Sequence, residues 1–140
     1  MAKVIMLWGL PASGKSTWAK SHVANNSNWV RVNKDDIRLE LGNGFKNVYA
    51  KEKATIKRER ELIKQYLGDG KNIVIDNTHL NPKTLGATER YVRECGCDDI
   101  AIRTFNISVE EAIKRDKERV ASVGEHVIRM MYNKWIKDKE

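Results

Sequence analysis

Residues 3–16 read Lys-Val-Ile-Met-Leu-Trp-Gly-Leu-Pro-Ala-Ser-Gly-Lys-Ser. The first six form a short apolar run that ends at a glycine, as expected for a strand buried in a parallel sheet. The last eight fit Gly-x-x-x-x-Gly-Lys-Ser/Thr, and helical spacing follows from Lys15 to about Ala24. Strand, glycine loop and helix in that order are the context in which this pattern cradles phosphate. A chain of this length would contain the pattern by accident in roughly one case in 200. Gly9 and Gly14 allow the loop through Leu10, Pro11, Ala12 and Ser13 to bend until backbone N–H groups converge on phosphate oxygens. The positive end of the helix that carries Lys15, Ser16 and Thr17 adds to the attraction. Lys15 is expected to set a point charge on the β and γ phosphates, and the Ser16 hydroxyl to ligate Mg²⁺.

The rest of the chain continues the alternation. A second strand is expected at Trp29–Val32, followed by a short helix that opens at Asn33-Lys34-Asp35-Asp36 and stops at Gly42-Asn43-Gly44. Residues 47–67 are rich in Lys, Arg and Glu, with Val48, Ile56, Leu62, Ile63, Tyr66 and Leu67 as a sparse apolar stripe, which predicts a long surface helix. Residues 72–76 read as a third buried strand with an acid, Asp76, at its carboxyl end. Asn81-Pro82 is a helix start, with Asn as the cap and Pro at the first helical position, and the helix runs to about Glu94. A fourth strand is expected over 100–105, a capping box at Ser108 and Glu111 for the next helix, and a last helix over 124–136. The order predicts an α/β fold of P-loop kinase type. That fold is a three-layer sandwich around a central, mainly parallel sheet of four to five strands, with a helical lid, in a single domain over 1–140. Ligands of such sheets sit at the carboxyl ends of the strands, so one crevice could collect Gly9, Asp35 and Asp76.

Composition narrows the classes further. Of the 140 residues 41% are apolar and 32% charged, too hydrophobic for a disordered chain and too interrupted by charge for a membrane protein. The run Val4–Trp8 is far below the roughly 20 residues that cross a bilayer and lacks the cleavage context of a signal peptide. No membrane association or export is expected, and the location expected is cytoplasmic. The net charge of +7 favours an anionic partner, and seven basic residues against three acidic over positions 1–50 place much of the excess in the segment with the phosphate pattern. Cys95 and Cys97 are the only cysteines and have no second pair at ligand spacing, which points to two reduced thiols rather than a zinc site or disulfide framework.

Several charged residues admit two readings. Asp76 is followed by Asn77 and not by an acid, so it can support Ser16 or hold Mg²⁺ through water but forms no dedicated hydrolase pair. Asn33-Lys34-Asp35-Asp36 spells the Asn-Lys-x-Asp guanine signature, yet it lies too close behind the glycine loop for a base-reading loop. Asp35 and Arg38 share a helix face. Asp35 could accept the proton of an attacking hydroxyl and Arg38 clamp a phosphate, or the two could form an ordinary i,i+3 ion pair. Asp36 reads as a surface cap. Arg115 and Arg119 have acids one turn away at Glu111 and Asp116, so they are either helix ion pairs or a mobile arginine face hinged at Val120–Gly124. Trp18, Trp29 and Trp135 read as packing residues, and His22, His79 and His126 receive no chemistry.

With those residues in view, the chain resembles the kinase domain of the bacteriophage polynucleotide kinase-phosphatases over nearly its whole length. The matching stretches are G-L-P-A-S-G-K-S-T-W-A from Gly9, V-N-K-D-D-I-R from Val32, T-H-L-N-P from Thr78, K-R-x-x-x-R from Lys114 and V-I-R-M-M-Y from Val127. The resemblance implies transfer of the ATP γ-phosphate to a 5′-hydroxyl end of DNA or RNA. It implies Lys15 and Ser16 on the phosphates and Mg²⁺, Asp35 as general base and Arg38 on the phosphate 3′ to the acceptor nucleotide. It also implies Asp76 and Thr78 beside the substrate, and Arg115 and Arg119 as lid arginines on the donor phosphates, with Lys15 and Arg119 joining Asp35 in catalysis. The family's strand-three carboxylate aligns with Asn77, whereas the acid here stands one place earlier. The phage proteins continue into a phosphatase domain with an Asp-x-Asp motif, which this sequence lacks, so 3′ end healing is not expected. The alternatives are a P-loop kinase acting on a small molecule or sugar nucleotide, and a nucleotide-binding module without phosphotransfer.

Overall fold

A computed structural model describes residues 2–138. The elements follow as β1 (Val4–Trp8), α1 (Lys15–Ala24), β2 (Trp29–Val32), α2 (Lys34–Leu41), α3 (Val48–Gly68), β3 (Asn72–Ile75), α4 (Pro82–Glu94), β4 (Ile100–Thr104), α5 (Val109–Lys117) and α6 (Glu125–Trp135). The strands form one sheet in the order β2-β3-β1-β4, and every pair is parallel. Met6 aligns with Ile75 on one side and Ile102 on the other, and Val32 aligns with Ile75. The sheet therefore has four strands, the lower of the two expected numbers. Because β2 and β3 lie on one side of β1 and β4 on the other, the winding reverses at β1. The loops leaving β1 and β3 diverge there and open a crevice.

Strand alternation divides the core into layers. Val4, Met6, Val32, Ile73 and Ile75 face one way and pack with Ile63 of α3 and Val92 of α4. Ile5, Leu7 and Val74 face the other way, against Ala19 and Trp18 of α1, with Trp29 in the same cluster. The three layers are α3 and α4, the sheet, and α1. A third cluster, Leu10, Leu80, Ala112, Ile113 and Ile128 with Trp135 against it, ties α5 and α6 to the floor of the glycine loop. The three tryptophans pack as the sequence suggests, and both cysteines are free thiols.

Helix starts follow the sequence signals closely. Asn33, Asn47, Asn81 and Ser108 cap α2 to α5 by accepting backbone N–H bonds from Asp36, Ala50, Lys83 and Glu111. Asp36 is thus the donor to the cap and not the cap itself. The box at Ser108 is half formed, since the Glu111 side chain turns to Arg115 instead. At α1 the N-cap is Gly14, with no side-chain bond and no acid in the first turn.

Ile73 is fully buried at the centre of the first cluster. Ile73→Ala is expected to lower unfolding stability by about 3 kcal/mol, measured by urea denaturation, because the closely packed sheet cannot collapse into the cavity.

Candidate active site

The glycine loop depends on close backbone approach. A Cβ on Gly9 would lie 2.7 Å from the Phe105 carbonyl oxygen and 2.9 Å from Ser13 Oγ, so no larger residue fits. Gly14 takes φ +101 and turns the chain into α1 without presenting a side chain to the first-turn amides. Those amides are orphan donors at the positive end of a helix, a setting that favours an anion. Lys15 is buried beside them and its ammonium donates to the carbonyls of Gly9 (2.9 Å) and Leu10 (2.6 Å) and to Ser13 Oγ (3.3 Å). Burial pulls its pKa down to about 8. The charge of Arg119 pushes the same way, and those of Asp76 and Asp35 oppose it. Charged groups from β3, α2 and the α5–α6 connection thus converge on one ammonium.

The end of β3 joins the loop to the opposite wall. Asp76 is 1% exposed, and its Oδ2 accepts from Ser16 Oγ and from Arg31 Nε, each at 2.8 Å. Arg31 also pairs with Asp36. This oxygen is thus engaged by the Ser16 hydroxyl and a β2 arginine at the wall of the crevice. The Asp76 carbonyl accepts from Asn33 Nδ2 at 2.6 Å. Asn77 accepts from the Lys34 N–H (3.0 Å) and donates to Glu59 Oε2 (2.9 Å). Burial holds the Glu59 carboxyl above its usual range, against Lys34 and Asn77. The Asn33–Asp36 stretch is therefore a capped helix start stitched to β3, not a base-reading loop.

Asp35 projects from the first turn of α2, 82% exposed, and Oδ1 accepts from Arg38 Nη1 at 2.6 Å. The remaining fork of Arg38, Nε and Nη2, grips both oxygens of Glu52 at 3.0 and 2.6 Å. The ion-pair reading of Asp35 and Arg38 is realised, and two of the five guanidinium N–H groups stay available.

On the lid, Arg115 pairs with Glu111 at 3.0 Å and Arg119 with Asp116 at 2.8 Å. Asp116 does more than balance an arginine. Buried at 1% exposure, it accepts from Arg119, from Ser122 Oγ, and from the backbone N–H groups of Val123 and Gly124. Burial alone would raise its pKa, but those donors hold the carboxyl far below the usual range. The connection read as a hinge over Val120–Gly124 is pinned at its far end by this carboxylate, just before α6 begins.

The crevice between these walls measures about 790 Å³. It brings together Pro11, Ala12, Gly14, Lys15, Ser16, Thr17, Asp35, Arg38, Asp76, Thr78, Arg115 and Arg119. Gly9, Leu10 and Ser13 lie behind it: Leu10 packs in the third cluster, Ser13 is buried under Lys15, and the Gly9 N–H donates to the Thr78 carbonyl. Sequence reasoning missed Arg31, Glu52 and the cage around Asp116. It also passed over His79, which is buried at φ 51 with its Nδ1 on the Leu7 carbonyl. Burial lowers the His79 pKa to about 4, so the ring is neutral near pH 7. An arginine in the middle of the strand Trp29–Val32 was the one local signal for Arg31.

A parallel sheet with a phosphate loop at its switch point and arginines on a helical lid places the chain among P-loop domains of kinase type. The profile of the AAA domain family AAA_33 matches residues 4–135, and the chain belongs to that family. A protein of Autographa californica nuclear polyhedrosis virus, named as a bifunctional polynucleotide kinase/RNA ligase, is 27% identical over 96% of this chain and 21% of its own length. A chain in the solved structure of the Pnkp1/Rnl/Hen1 RNA repair complex superposes with a TM-score of 0.81 at 29% identity, over 96% of this chain and 44% of that one. A gluconokinase from Sinorhizobium meliloti 1021 shares the fold, with a TM-score of 0.59 at 14% identity over 94% of this chain and 73% of its own. This chain thus spans about a fifth of the viral relative and under half of the repair-complex chain. No described helix is long and apolar enough to cross a membrane.

Two measurements follow from the buried charges. Below pH 8 the Lys15 ammonium is charged before and after a triphosphate binds. Above it the free protein must take up a proton to bind, so ATP affinity is expected to fall about tenfold per pH unit between pH 8 and 9.5 in calorimetric titrations. Asp116→Ala removes a buried acceptor shared by four donors and is expected to cost about 2 kcal/mol in urea unfolding, more than loss of the exposed Arg115–Glu111 pair.

Proposed function

We propose that this domain is an ATP-dependent polynucleotide 5′-hydroxyl kinase. The observation that carries the reading is the presence of Asp35 and Lys15 in one crevice, close enough for the acid's charge to act on the ammonium. The names of the viral relative and the repair complex support a nucleic-acid end as the acceptor. The triphosphate of ATP lies on the loop amides and Lys15, leaving Asp35 facing the terminal phosphorus from the α2 side. Asp35 Oδ2 has no hydrogen bond among the described residues and accepts the proton as the 5′ oxygen attacks. The new phosphorus–oxygen bond forms as the bond to the β,γ-bridging oxygen breaks, and ADP leaves with that electron pair. Lys15 and Arg119 offset the charge that builds on the transferred group. Arg38 uses its two remaining N–H groups on the phosphate 3′ to the acceptor nucleotide, and Thr78 borders the same space.

Mg²⁺ fits the donor set present, since Ser16 Oγ and the Asp76 carboxylate are adjacent hard oxygens at the loop's end. Ser16 would ligate the ion directly and Asp76 would hold its water shell. The ion would screen the β and γ oxygens. Arg31 already neutralises part of the Asp76 charge, which suits a carboxylate that orients Ser16 and does not bind the ion alone.

Asp35→Ala is expected to lower kcat by about 10²- to 10⁴-fold with ATP affinity unchanged, read by transfer of labelled phosphate to a 5′-OH oligonucleotide and by calorimetry. Labelling of members of a metabolite panel in preference to any oligonucleotide would assign the site to a small-molecule acceptor. ATP binding with no labelled product from either would make the domain a nucleotide-binding module.

A further inference from the structure

The longest helix outruns the sheet it covers. With 21 residues α3 is about 31 Å long, whereas the four-residue strands β2 and β3 span about 13 Å. Its hydrophobic core contacts, Ile63 with Leu62, Tyr66 and Leu67, come from the second half, and in the first half Thr55 is buried. Since α3 joins the end of β2 to the start of β3, its first turns stand beyond the carboxyl rim of the sheet, on the side of the crevice. There the apolar side chains at the very start of α3 stand open to solvent. Val48 is 83% exposed and Tyr49 75%, and on the neighbouring helix Leu39, one turn beyond Asp35 on the same face, is 84% exposed. The Arg38–Glu52 fork ties the two helices together at this point and links the patch to the crevice.

The charge around the patch is one-sided. Lys46, Lys51, Lys53 and Lys57 make no ion pair among the described residues, and the acid among them, Glu52, is engaged by Arg38. A second copy of this chain is a poor occupant. Three side chains offer far less than the roughly 800 Å² per partner of a stable interface, and the lysines would face their own kind. An exposed aromatic ring and aliphatic neighbours set among unpaired lysines instead suit unstacked bases on a polyanionic backbone.

We propose that the α2–α3 corner, through Leu39, Val48 and Tyr49 with Lys51 and Lys53, binds the single-stranded nucleic acid that follows the acceptor nucleotide. This rests on the proposed acceptor and adds where the strand leaves the crevice: past Arg38, then over Tyr49. The grip is a stacking platform, tolerant of sequence, with the lysines supplying a salt-dependent part.

The test reads binding without requiring transfer. Fluorescence anisotropy with 3′-labelled 5′-OH 10-mers of DNA and of RNA compares the parent chain, Leu39→Ala/Tyr49→Ala, Lys51→Gln/Lys53→Gln, and Met130→Ala as an exposed apolar control on α6. The first variant is expected to bind 10-mers about tenfold more weakly, with the salt slope kept. The lysine variant is expected to show a shallower salt slope, and Met130→Ala to match the parent. Affinity of the first variant within twofold of the parent overturns the proposal, as does a parent that binds no 10-mer. A change of oligomeric state on sedimentation without a change in 10-mer affinity also overturns it, in favour of a contact between copies. Loss of 10-mer affinity in a protein that phosphorylates no 5′-OH end would leave the strand surface standing and remove the kinase reading alone.

Discussion

Two oxygen atoms of Asp76 hold the halves of the crevice in register. Its carboxylate Oδ2 takes the Ser16 hydroxyl and the Arg31 guanidinium, and its backbone oxygen takes the Asn33 amide that starts α2. The phosphate loop, β2 and the helix bearing Asp35 therefore meet on a single residue at the end of the most buried strand. That residue can bear the role because Ile73, Val74 and Ile75 before it are fully enclosed by the two apolar layers, so its position is set by packing. A shift of β3 would move the loop and the acid together.

Holding charge in such a place is unfavourable unless each group is matched. Lys15, Glu59, Asp76 and Asp116 are all buried, and each has partners with good geometry. The match is tightest at Asp116, which gathers four donors, and loosest at Lys15, whose pKa is depressed despite three acceptors. The difference reflects their tasks. Asp116 has a fixed structural charge to complete, whereas Lys15 is held against neutral carbonyls that a phosphate oxygen can displace.

The local signals were readable because they are local. The glycine loop, the asparagine caps and the Asn-Pro start each need only neighbouring residues, and α1, α4 and the first strand fall where the sequence puts them. The acidic residues were harder. Asp76 and its partner Arg31 are 45 positions apart, and Arg38 and Glu52 are 14 apart on different helices. Helical periodicity cannot report such pairs. Asp116 was visible as an i,i+3 partner of Arg119, but its capture of Val123 and Gly124 depends on a turn whose path is fixed by tertiary packing. Asp36 looked like a cap by composition, yet Asn33 occupies the cap and Asp36 turns to Arg31.

Arg31, Arg38, Arg115 and Arg119 each already hold a carboxylate, so the protein alone keeps four like charges together without strong mutual repulsion. Under the proposed reaction a polyanion competes for those same donors. Glu111 is 42% exposed and loses little by returning to water, so Arg115 can exchange it for phosphate, whereas Arg38 keeps its Glu52 fork and has two N–H groups to spare. Asp116 cannot be released in that way, since its oxygens also hold the turn that leads into α6. Arg119 must therefore meet the donor phosphates with its remaining N–H groups while still tied to Asp116, which gives the lid one arginine of fixed direction and one that changes partner.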